Sequence, residues 1–215
     1  MSIELQRVAP AEIEARSMEI ITEELGRELD PELAPVIKRV IHTSADFDYA
    51  DNLVFSPGAV KRGVEAMKNG CTIVTDTQMA LAGINKRVLG KFGGEVMNFV
   101  ADPDVAEEAK RRGVTRATVS MERAAALGRP LVFAVGNSPT ALVAIRDLLE
   151  AGTLEQPALI IGVPVGFVNV VESKELILEL ENIPYIVARG RKGGSNVAAA
   201  ICNALLYLAS GDARE

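Results

Sequence analysis

Tryptophan is absent, aromatic residues make up only 4% of the chain, and there is a single histidine. With so few rings, the stacking platforms that hold unpaired bases are missing. The net charge of −6 leaves no basic face to track a phosphate backbone, so nucleic acid is not an expected partner. Hydrophobic residues reach 48%, yet no run approaches the roughly 18 to 20 residues of a membrane-spanning helix. The opening Met1-Ser2-Ile3-Glu4-Leu5-Gln6-Arg7 lacks the basic region and apolar stretch of a signal peptide. Cysteine is scarce too: Cys71 and Cys202 lie far apart, each in an apolar segment. They read as buried free thiols, which suits a reducing cytoplasm and no membrane. One histidine and two distant cysteines cannot supply zinc-ligand spacing, so no metal is expected. A Gly-x-Ser-x-Gly elbow, a P-loop and a Gly-x-Gly-x-x-Gly turn are all missing.

What is present is an alternation of apolar β-branched runs and helical patterns, in 215 residues read as one domain over 1–215. A chain of this size buries roughly 70% of its unfolded surface. Strands are expected over 71–75, 95–100, 131–135, 158–162 and 185–188, mostly as continuous apolar runs suited to a sheet covered on both faces. Helices fill the intervals over 103–112, 115–127, 138–151, 171–181 and 195–209. Ahead of them, Pro10 and Asp30-Pro31-Glu32 signal two helices, the first reaching about Leu29 and the second ending near His42. Ser56-Pro57 opens a third, stopped by Asn69-Gly70. The pattern is a doubly wound α/β domain with a mostly parallel five-stranded sheet and extra N-terminal helices.

In such sheets ligands bind beyond the carboxyl ends of the strands. Those loops hold Thr75-Asp76-Thr77-Gln78, Gly136-Asn137-Ser138-Pro139-Thr140, Val163-Pro164-Val165-Gly166-Phe167 and Arg189-Gly190-Arg191-Lys192-Gly193-Gly194-Ser195-Asn196. The last combines glycines, three cationic side chains and a following helix N-terminus, which together make an anion site for carboxylate or phosphate. A solvated basic turn is the plainer alternative. Taken alone, Ser138 reads first as an ordinary helix cap and the Thr75-Asp76 pair as a helix start, though three such loops at one sheet edge point to a site. His42 stands apart, at the end of the second helix. Histidine alone trades protons near neutrality at its ordinary pKa of about 6.5. Thr43, Ser44, Asp46 and Asp48 are candidates to orient the ring. A lone histidine at a helix end is also a common structural partner of the dipole. The residues by themselves lead to an α/β enzyme for an anionic small molecule, without a metal.

The segments Ile41-His42-Thr43-Ser44-Ala45-Asp46, Val74-Thr75-Asp76-Thr77-Gln78-Met79, Gly83-Ile84, Gly136-Asn137-Ser138-Pro139-Thr140-Ala141-Leu142, Pro164-Val165-Gly166-Phe167-Val168, Glu172-Ser173-Lys174 and Gly190-Arg191-Lys192-Gly193-Gly194-Ser195 follow one another along nearly the whole chain. In that order they resemble the precorrin-8X (cobalt-precorrin-8) methylmutase family. The resemblance implies a flavodoxin-like domain, a homodimer with its site near the subunit interface, and a methyl shift from C-11 to C-12 of a tetrapyrrole in vitamin B12 synthesis. It places the catalytic histidine at His42, protonating or hydrogen-bonding a ring nitrogen, and implies no cofactor. The carboxylates around the macrocycle would meet Arg16, Arg87, Arg116, Arg191 and Lys192, for which arginine forks are well shaped. Ser17, Thr43, Thr75, Asp76, Asn137, Thr140, Gly166, Gly193, Gly194 and Ser195 complete the expected contacts, with Ile84, Val165, Phe167 and Val168 as aliphatic walls. Two rivals remain: a non-catalytic corrinoid carrier, and a phosphate-handling α/β enzyme using the loop 190–196.

Overall fold

Apolar runs bounded by turn residues become the strands of one sheet in the computed structural model, which describes residues 7–211. The opening segment and its lack of a leader-like pattern fall largely outside those residues. The strands are β1 Leu53–Phe55, β2 Thr72–Thr75, β3 Glu95–Met97, β4 Leu131–Val135, β5 Leu159–Gly162 and β6 Tyr185–Ala188, in the order β1-β6-β5-β4-β2-β3. β2 to β6 pair in parallel, and β1 runs antiparallel along β6 with Leu53 opposite Ala188. The five parallel strands have the flavodoxin-like order, which reverses between β2 and β4.

The sheet has six strands where five were expected. β1 is three residues long and carries no readable period; only its pairing with β6, far away in sequence, makes it a strand. β3 is shorter than the expected 95–100 because Asn98 turns the chain. Its Nδ2 donates to the Thr75 carbonyl at 2.7 Å and its Oδ1 accepts from the Val100 amide.

Strand side chains alternate between two apolar layers. Ile73, Val132, Ala134, Leu159 and Ile161 face one, while Val74, Leu131, Phe133, Val135 and Ile160 face the other. The first layer is covered by α1 Ile13–Leu25, α2 Ala34–Ser44, α3 Tyr49–Asn52, α4 Ala59–Lys68, α5 Gln78–Gly83, α6 Lys86–Lys91 and α11 Ser195–Ser210. The second is covered by α7 Pro103–Arg112, α8 Arg116–Ala125, α9 Pro139–Glu150 and α10 Val170–Leu178. α1 stops short of the expected Leu29 because Gly26, at φ 60°, takes the left-handed C-cap. α2 begins later than its start signal: the Asp30 carbonyl and carboxylate first hold a turn over 30–34.

α11 lies against α2, α4 and α5. Its run Ala198-Ala199-Ala200 keeps the approach close, and a Cβ on Gly83 of α5 would come within 2.9 Å of the Ala199 Cβ. The contact of α2, α5 and α11 frames the site. Among the described residues no helix is long and apolar enough to cross a membrane.

Candidate active site

His42 occupies the last turn of α2, exposed, while Val40 and Ile41 beside it are buried in the first apolar layer. Ala45 adopts φ 53°, rare for a residue with a Cβ, and donates its amide to the Ile41 carbonyl at 2.7 Å. The helix therefore ends abruptly, and the histidine stands on a corner. A cavity opens on each side of it. One, of 280 Å³, is lined by His42, Thr43, Arg39, Asn196, Asn203 and Tyr207 together with small residues of α5 and α11. The other, of 260 Å³, is lined by His42, Ser17, Ile20, Ile21, Ile41 and Phe47, among others. The imidazole thus separates a polar wall from a mainly apolar one. In the polar wall, Arg39 pairs with Glu14 and stacks over the Tyr207 ring, 5.2 Å from its centroid.

The groups expected to orient the ring point elsewhere. Ser44 Oγ donates to the Val40 carbonyl at 2.7 Å. Asp46 and Asp48 accept from Lys192 Nζ at 2.7 and 2.5 Å, and that hydrogen bond holds the Asp46 carboxyl below the usual range. Lys192 in turn is held above the ordinary lysine value by the two carboxylates. The bridge ties the turn after His42 to the loop before α11. Lys192→Met should cut this tie with little loss of stability, because an exposed ion pair is screened and the Lys192 side chain is 43% exposed. Urea unfolding reads the change; a clear drop in the midpoint would show that the tie supports the whole fold.

The loop between β6 and α11 is seated from beneath by a residue outside the expected set. Lys174 of α10 is fully buried, and its Nζ donates to the carbonyls of Gly190 and Lys192 at 2.7 and 2.8 Å. Burial pulls its ammonium down to about 8. Gly193 presses on the loop after β5, where a Cβ would lie 2.1 Å from the Val163 carbonyl oxygen, and the Gly194 amide donates to that same oxygen. The Gly166 amide donates to the Arg191 carbonyl at 3.3 Å, and the Arg191 guanidinium lies 5.6 Å from the centre of the exposed Phe167 ring.

At the reversal between β2 and β4 the outcome differs from expectation. Asp76 is 3% exposed, and its carboxylate accepts from the amides of Gly136 at 2.8 Å, Asn137 at 2.8 Å and Ser138 at 2.6 Å. Burial pushes the carboxyl above its usual range, against the pull of those amides. The chain's own carboxylate fills the N-terminus of α9, so that end offers no vacant anion cradle. Thr75 is buried too, with Oγ1 near the Thr77 and Met97 carbonyls. Thr75 and Asp76 therefore shape the sheet edge rather than facing either cavity. Ile84, expected as a wall, is buried in the core as well.

The remaining expected residues spread along the same edge. Ser195 Oγ lies 2.8 Å from Thr77 Oγ1, and Thr140 Oγ1 lies 2.7 Å from Thr115 Oγ1, which brings the starts of α8 and α9 together beside the exposed Arg116 and Asn137. Arg16 turns along its own helix to Glu19 at 3.0 Å. Arg87 is exposed on α6, and neither it nor Arg116 lines the cavities at His42. Arg39, Asn196, Asn203 and Tyr207 do; sequence reasoning placed Asn196 only in the anion loop and passed over the other three. A signal existed: Asn196, Asn203 and Tyr207 recur at helical spacing along an otherwise apolar α11, and Arg39 lies three residues before His42.

The chain matches the model of the precorrin-8X methylmutase family over residues 12–208. The chain belongs to the precorrin-8X methylmutase family. It is 45% identical over 203 residues to the cobalt-precorrin-8 methylmutase of Priestia megaterium, covering 94% of this chain and 89% of the relative. With that of Salmonella typhimurium the identity is 46% over 206 residues, covering 92% and 95%. The crystal structure of the precorrin-8x methyl mutase of Thermus thermophilus superposes with a TM-score of 0.84 at 38% identity, covering 93% of this chain and 98% of that one. The methylmutase match takes in every expected site residue from Arg16 to Ser195.

Proposed function

We propose that this protein is the isomerase of cobalamin biosynthesis that moves a methyl group from C-11 to C-12 of (cobalt-)precorrin-8, giving hydrogenobyrinate or cobyrinate. The observation that carries the chemistry is His42, exposed on a corner between two cavities, inside a family match that runs over residues 12–208. The reaction is intramolecular: one carbon–carbon bond breaks, another forms, and no atom enters or leaves. The protein has to hold the macrocycle in a shape that favours the rearranged π-system and place one proton handler at a ring nitrogen. His42 takes that role. Ser17 and Thr43 line the cavities beside it. Arg191 and Gly193 receive rim carboxylates, Lys192, Gly194 and Ser195 hold that loop in place, and Arg16, Arg87, Arg116, Asn137, Thr140 and Gly166 lie further out along the same edge.

Each cavity falls below the about 300–1000 Å³ common for ligand pockets, which is small for a tetrapyrrole. Beside Gly166, Phe167 and Val168 remain 81% and 77% exposed. A homodimer that covers these side chains and completes the site accounts for both features. One sheet carries both helical layers, so the chain works as a single domain, and the unpaired buried thiols of Cys71 and Cys202 suit the cytoplasm.

The test is turnover. Purified protein mixed with a large excess of the tetrapyrrole should convert many equivalents, followed by the absorption change as conjugation is rearranged. Binding of the tetrapyrrole without any conversion would instead indicate a corrinoid carrier. Thermal protection by phosphate esters without any response to corrinoids would sink the reading.

A further inference from the structure

Lys174 is the one lysine or arginine among the described residues that is wholly buried, and no carboxylate lies within ion-pairing distance of it. Neighbouring charges are engaged elsewhere: Glu175 reaches Arg189 at 3.4 Å, and Lys192 holds Asp46 and Asp48. A buried cation without a counter-charge is unfavourable, and proteins keep such groups where something compensates them.

The ammonium does more than fill space. It draws the carbonyls of Gly190 and Lys192 inward. In a trans peptide the C=O and the following N–H point in opposite directions. The amides of Arg191 and Gly193 are therefore turned away from Lys174, and among the described residues neither has an acceptor. Gly194 continues directly into α11, whose Asn196 and Asn203 line the cavity at His42.

We infer that Lys174 is a positioning residue for substrate: it aims the Arg191 and Gly193 amides at one rim carboxylate, whose charge compensates the buried ammonium across the loop. This rests on the methylmutase reading for the ligand and names the residue that prepares the loop to receive it. Lys174 touches no reacting atom, so its effect falls on binding rather than on the chemical step.

Lys174→Met should fold, as read by circular dichroism, and should raise KM and the Kd for the corrinoid product about tenfold while kcat stays within about twofold, a pattern of lost uniform binding. Lys174→Arg, which keeps the charge and the donors, should recover part of the affinity. Should Lys174→Met fail to fold, Lys174→Gln, which keeps one donor without the charge, carries the same comparison. Native KM and product affinity in a folded Lys174→Met protein would overturn the inference. So would a drop in kcat and melting temperature with KM unchanged, the mark of a merely structural lysine. Hydrogen exchange at the Gly166 and Gly194 amides, which are bonded across this loop, gives a readout without substrate. Faster exchange in Lys174→Met supports the positioning role and unchanged exchange refutes it, even if the native protein proved unable to turn over tetrapyrrole, a result that would count against the methylmutase reading instead.

Discussion

Replacing His42 by alanine should lower kcat by roughly 10²- to 10⁴-fold, the usual contribution of a positioned acid–base group, equivalent to about 3–5 kcal/mol of transition-state stabilisation. The variant should fold and bind product normally. The imidazole is exposed, and among the described residues no hydrogen bond holds it, so its loss should change stability by no more than about 0.5 kcal/mol. Single-turnover absorption kinetics with enzyme in excess isolate the chemical step, and urea unfolding checks the fold. His42→Gln, which keeps a hydrogen-bond donor but cannot carry a proton, should recover little if proton transfer is the role, and much if hydrogen bonding suffices. Conversion at the native rate by the alanine variant would remove His42 from the mechanism. The candidate acids nearby could not substitute easily, since Asp46 and Asp48 are bound to Lys192.

Asp76→Ala should be the most destabilising of the changes considered, by about 3–5 kcal/mol. Removing the carboxylate strands three amides, those of Gly136, Asn137 and Ser138, at the start of a 12-residue helix. The three hydrogen bonds are buried or part-buried, and each unsatisfied donor costs about 1–3 kcal/mol. The negative charge also complements the positive end of α9. At the scale of roughly 2–4 °C per kcal/mol for a chain of this length, the melting temperature should fall by about 10 °C. Asp76→Asn should recover only part of this, because its amide NH₂ would face donors. A variant melting within 2 °C or so of the native protein, but unable to bind the tetrapyrrole, would reverse the assignment and make Asp76 a substrate contact.

Asp76 also shows where sequence reading reached its limit. Its position after β2 placed it at the carboxyl edge of the sheet, because strand and helix patterns are local and the sheet's carboxyl ends follow from them. Whether its carboxylate faces a ligand or the α9 amides depends on the pairing of β2 with β4, about sixty residues away. The same holds for Lys192. As a basic residue in a glycine-rich loop it reads as an anion contact; only the fold brings it to Asp46 and Asp48, some 144 positions earlier. Lys174 carried no local sign of its role, since a lysine on an amphipathic helix ordinarily faces solvent.

The sequence by itself determined the α/β class, five of the six strands, the helices that follow them, the buried thiols, and the place of the single histidine, His42, within a family-specific order of motifs. These are properties of local periodicity, composition and residue identity. The tertiary structure alone decided that β1 exists, that α2, α5 and α11 frame a polar cavity with Arg39, Asn203 and Tyr207 in its wall, and which charged groups stay open to a ligand. Those outcomes depend on contacts between residues distant in the chain, where burial and competing hydrogen-bond partners, rather than local propensity, set where each side chain points.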